Sequence, residues 1–62
     1  MTRKDYVLIA EAIREEREIW EMVDAKMGNE VLNSLSRSLA RRLRQENVRF
    51  DRDKFLEAAG VK

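Results

Sequence analysis

Arg37, Arg41 and Arg44 recur at helical spacing, and they form the strongest chemical signal in the chain. On a helix, intervals of four and three residues set all three along one edge. Guanidinium forks arrayed in this way suit phosphate oxygens. The same edge can equally form the basic rim of a helix pair whose other member is acidic. The balance favours the rim, because the net charge is only +1 and no helix-turn-helix pattern accompanies the arginines. Ser34, Ser36 and Ser38 are the other closely spaced reactive groups, but the chain has no histidine to activate them. Cysteine is also absent, so thiolate metal sites and disulfides are excluded. The carboxylates are plentiful but fall on what reads as a solvated helix face. No catalytic, cofactor-binding or metal-ligating residue is expected, and the chain reads as a non-enzyme.

The elements that must carry these residues are helical throughout. The 62-residue chain holds no proline and two glycines, and 40% of it is charged. No stretch alternates with the two-residue period of a strand. Thr2 with Asp5 resembles a capping box. Tyr6, Ile9, Ile13, Trp20 and Met27 then recur within an arc of roughly 60° at 100° per residue. Arg14-Glu15-Glu16-Arg17-Glu18 interrupts that stripe but contains no breaker, and Arg14–Glu18 and Arg17–Glu21 pairs can keep it helical. The spacing predicts a first helix from Arg3 to Lys26, stopped by Gly28, and a second from Glu30 to Gln45, capped by Asn29. The clearest local signature comes last. Asp51 can cap a third helix, Arg52 to Ala59, with Phe50 and Phe55 spaced as a hydrophobic staple. Gly60 and Val61 fit a left-handed C-terminal turn folding back on Leu56. The predicted core comprises Tyr6, Ile9, Ile13, Leu32, Leu35, Leu39, Leu43, Phe50, Phe55 and Leu56.

The fold class is therefore all-α: a helical hairpin plus a short C-terminal helix in one domain spanning residues 1–62, completed by self-association. The last expectation rests on surplus apolar surface. Leu8, Ala12, Ile19 and Met22 form a second stripe on the first helix, rotated away from the first. One long second helix cannot cover both. Leu8, Ile19, Trp20, Met22, Val23 and Met27 are the expected contacts of a homo-oligomer, a dimer being favoured. Charge is also divided along the chain. Residues 1–30 carry eight acidic and five basic side chains, and residues 31–62 carry four acidic and eight basic, a net −3 against +4. That division keeps nucleic acid as the alternative partner, met by Arg37, Arg41 and Arg44. No apolar run reaches membrane-spanning length, and the reading is of a cytoplasmic protein without membrane or cofactor.

The opening Thr2-Arg3-Lys4-Asp5-Tyr6 and the closing Asn47-Val48-Arg49-Phe50-Asp51, continued by Phe55-Leu56-Glu57-Ala58-Ala59-Gly60, resemble the ends of a group of small phage and prophage proteins. The match covers about half the chain. Arg14 to Leu43 differs most, and it lacks the proline-containing connection expected between the first two helices. Those proteins generally carry no assigned activity, so the resemblance transfers no catalytic residue. It implies an accessory or regulatory role in the cytoplasm of a bacterial host, and the surplus apolar stripe adds a host protein as a candidate further partner.

Overall fold

The computed structural model describes residues 2–61, which form three helices: α1 (Arg3–Glu21), α2 (Ala25–Glu46) and α3 (Arg52–Ala58). The first two make an antiparallel hairpin, and α3 packs against both. There is no strand among the described residues. The molecule measures 36 × 18 × 14 Å, its length set by the 22 residues of α2 at about 1.5 Å each.

Each helix end has a local cause. At the start of α1 the Asp5 carboxylate accepts from the Thr2 backbone N–H at 2.9 Å and from its hydroxyl at 3.3 Å. The backbone bond outweighs the opposing desolvation and, with the hydroxyl bond, holds the Asp5 carboxyl below its usual value. Arg14 to Glu18 is helical, so α1 runs unbroken through the charged run. It stops at Glu21, however, and not at Lys26. The turn is Met22-Val23-Asp24, where the Asp24 side chain caps α2 by accepting from the Met27 N–H at 3.1 Å. The second helix accordingly begins five residues earlier than its spacing predicted, at Ala25 in place of Glu30, and ends at Glu46.

Gly28 is consequently no helix stop, and Asn29 no cap. Both lie inside α2, where Gly28 is buried. Its role is proximity: a Cβ there would stand 2.2 Å from the Trp20 Cβ and 2.6 Å from its Cγ. Glycine is what allows the two helices to meet so soon after the turn. Further along the same face come Leu32, Ser36 and Ala40, all buried. The Ser36 hydroxyl donates to the Leu32 carbonyl at 2.7 Å, so its burial leaves no polar atom orphaned.

The C-terminal signature forms as its residues dictate. Asp51 accepts from the Lys54 N–H at 3.0 Å, and the Phe50 and Phe55 rings lie 5.4 Å apart across the cap. Tyr6 meets Phe50 edge-on at 4.6 Å, tying the staple to α1. Gly60 adopts φ 84°, Val61 N–H donates to the Leu56 carbonyl at 2.9 Å, and Gly60 N–H donates to Glu57 at 3.0 Å. This is a Schellman motif, with Ala59 as the C-cap.

The buried core is Ala10, Ile13, Leu32, Ala40, Phe50, Phe55 and Ala59, with Tyr6, Ile9, Trp20, Leu39, Leu43 and Leu56 packed around it. Leu35 does not join it. At 47% exposed, it stands on the flank of α2, because the buried row of that helix runs through Gly28, Leu32, Ser36 and Ala40, and Leu35 lies about 100° round the helix from Ser36.

Phe50→Ala and Phe55→Ala should each lower the unfolding free energy by about 3–5 kcal/mol, close to the whole stability of so small a domain. Unchanged melting of either variant would show that the staple carries no stability. Gly28→Ala tests the close approach through its sign. On an unobstructed helix the change stabilises by about 1 kcal/mol. Here urea unfolding should show a loss of at least about 1 kcal/mol, because the new methyl overlaps Trp20.

Candidate interaction surfaces

One guanidinium joins all three helices. Arg17 Nε and Nη2 donate to the Ala59 carbonyl at 3.2 and 3.1 Å, and Nη1 donates to Asn33 Oδ1 at 2.8 Å and Asn29 Oδ1 at 3.1 Å. The expected Arg17–Glu21 pair is replaced by these contacts. The reason is position: Arg17 sits on the side of α1 that faces α2 and α3, so its head must find acceptors within the fold. It finds the uncapped carbonyl at the end of α3 and two asparagines one turn apart on α2. Gly60 leaves room for it, since a Cβ there would stand 2.8 Å from Arg17 Nε.

The hairpin's other side is apolar and open. On α1, Leu8, Ala12 and Ile19 fall within roughly 40° of one another on a helical wheel, on the flank away from Ala10 and Arg17. On α2, Met27, Val31 and Leu35 occupy the flank away from Asn29 and Asn33. Because the helices are antiparallel, both flanks lie on the side opposite α3. Leu8 is 67% exposed and Ile19 53%, and Met27 and Val31 are more than half exposed. Met22, at 86%, and Val23 extend the patch around the turn. Of the residues expected at an interface, Trp20 alone turns inward, half-buried against Gly28 and the core. Leu35, expected in the core, joins this flank, and Val31, expected neither in the core nor at an interface, lies beside it. The Met27-Val31-Leu35 repeat of four residues was their available signal.

Arg37, Arg41 and Arg44 are all exposed along α2. Arg44 also borders a shallow polar hollow with Arg49 and Arg52, into which Asp51 and Asp53 bring opposing charge. Ser36 is wholly enclosed and bonded to the main chain, which removes it from any surface chemistry. Among the described residues no group of three or more carboxylates is gathered closely enough to hold a metal ion. Among the described residues no helix is long and apolar enough to cross a membrane. No protein-family model, curated protein or solved structure matches the chain.

Arg17→Met should remove about 1.5–3 kcal/mol, the range for hydrogen bonds to a charged group, and speed amide exchange over residues 55–61 first. Arg17→Lys should recover little of this loss, since one ammonium cannot reproduce the fork. Exchange that rises evenly over all three helices would show that Arg17 does not specifically hold α3.

Proposed function

We propose that the chain is a non-enzymatic interaction protein that works as a homodimer, joined through the apolar side of the α1–α2 hairpin. The observation that carries this reading is the excess of exposed surface. A monomer of 7.4 kDa is expected to present about 4,200 Å² to solvent. The chain presents 5021 Å². The difference is close to the roughly 800 Å² that one partner contributes to an interface of standard size. Most of its exposed large apolar side chains, Leu8, Ile19, Met27, Val31 and Leu35 with Met22 and Val23 at the turn, lie on the side opposite α3, and an apolar patch of this kind marks an interaction site.

Chemistry favours a second copy as the occupant. An isologous contact needs a self-complementary face. This one has an apolar centre, with Glu15 and Glu16 beside it on α1 and Arg42 beside it on α2, so a two-fold copy can set unlike charges opposite. The resemblance to small phage and prophage proteins supports an accessory role in a host cytoplasm, with a host protein as the further partner. The second reading, phosphate binding by Arg37, Arg41 and Arg44, draws on their shared exposure along α2. The acids in the hollow beside Arg44 weigh against it.

Light scattering across micromolar concentrations should give twice the chain mass. Ile19→Glu and Val31→Glu should each raise the dimer dissociation constant at least about tenfold while helicity is retained, since each places a charge in the apolar centre. A wild-type monomer at tens of micromolar would overturn the reading. A mobility shift with random duplex DNA, lost on Arg41→Ala and steeply weakened by salt, would favour the second reading.

A further inference from the structure

The side of the molecule that carries α3 holds a feature of different character. Between α1 and α3 runs an open groove of about 840 Å³. Its α1 wall is the row Arg3, Val7, Ala10 and Arg14, at intervals of four, three and four residues. Its α3 wall contributes Lys54, Phe55, Glu57 and Ala58. The middle of the groove is therefore apolar and shallow, made of small residues and the edge of the staple. Arginines stand at both ends of the α1 wall, and Arg49 and Lys54 add two more cations.

The acids are fewer and one is occupied. Asp51 spends a carboxylate oxygen on the Lys54 N–H as the α3 cap. Among the described residues lining the groove, Glu57 is the other acid. Four cations against two acids is a local excess in a chain whose net charge is only +1. Like charges around one concavity repel one another and raise the local concentration of anions.

We infer that this groove binds a short acidic segment of a partner protein, with an aliphatic or aromatic residue seated between carboxylates at its two ends. Charge complementarity selects the occupant, and the helix geometry sets its size. Arg3 and Arg14 are eleven residues apart on one helix, so their backbones are about 16 Å apart. An extended peptide covers that span in about five residues. A large apolar side chain in its middle would lie over Val7, Ala10 and Ala58, where both walls are too small to reach across. The groove faces away from the hairpin's apolar patch, so this binding stands apart from self-association, and chain mass and peptide affinity report on the two separately.

The probe is an N-acetylated, C-amidated hexapeptide, Asp-Glu-Leu-Phe-Glu-Asp, carrying a fluorescent label and followed by anisotropy against the full chain. A counterpart with lysine at the four acidic positions is the control. Binding of the acidic peptide, weakened by added salt and absent for the lysine peptide, is expected. Its amide shift changes should centre on Val7, Ala10, Phe55 and Ala58. Arg14→Glu should weaken binding about tenfold, while Glu57→Gln should tighten it about twofold, in line with the size of exposed charge pairs. Opposite signs from two exposed substitutions cannot arise from a common loss of fold, and circular dichroism of each variant checks this directly. Equal affinity for the two peptides, no binding at millimolar peptide, or shift changes centred on the hairpin's far side would each overturn the inference. So would preferential capture of an oligonucleotide that displaces the peptide, which would assign the cations to phosphate.

Discussion

The seating of α3 on the hairpin is completed by a single half-buried guanidinium, that of Arg17. A helix of seven residues has no independent stability in water, and α3 must be held by what it touches. Its N-terminal end is fixed by Phe50, Phe55 and Tyr6, all apolar or aromatic contacts. Its C-terminal end is fixed by Arg17, which takes up a helix-end carbonyl that would otherwise lack a partner and reaches Asn29 and Asn33 with the same group. Burying a charge is costly unless its donors are satisfied. Here the acceptors are neutral oxygens and the head keeps contact with water, so no second charge needs to be desolvated. The Schellman turn follows from the same constraint, because Gly60 both reverses the chain and vacates the space that Arg17 fills.

The core that remains is lean. Three of its seven buried apolar members are alanines, and the inward row of α2 adds Gly28 and Ser36. Small residues let the hairpin close tightly, but they bury little area per residue, and hydrophobic stabilisation follows area. Larger apolar side chains stand on the outer flanks instead. Tight helix pairing and surplus apolar surface are thus two results of one choice of inward residues.

Helix class, the N-terminal caps of α1 and α3 and the terminal motif were legible because each rests on neighbours in sequence. Asp51, Phe50, Phe55, Gly60 and Val61 lie within a dozen residues and specify their own geometry. The hairpin turn was misread because glycine was weighed as a breaker, when its purpose is a contact with Trp20 from the other helix. Asp24 carried the true boundary, but a lone aspartate among many acids gives a weak signal. Leu35 was placed in the core because its spacing matches Leu32 and Leu39, while the inward row is set by the small residues Gly28, Ser36 and Ala40 that let α1 approach. Arg17 was hidden most deeply. Its partners lie 12, 16 and 42 residues away, and only the assembled fold brings them within reach.

The Trp20–Gly28 contact has a consequence for watching this protein fold. Trp20 is the sole indole in the chain, and it rests against the α2 backbone only eight residues downstream. Its emission therefore tracks closure of the hairpin, a local event with little loop entropy to overcome. Docking of α3 spans most of the chain, and with it Tyr6 comes against Phe50. The molecule thus carries an indole that reports on the hairpin turn and a tyrosine that reports on the arrival of the terminal segment.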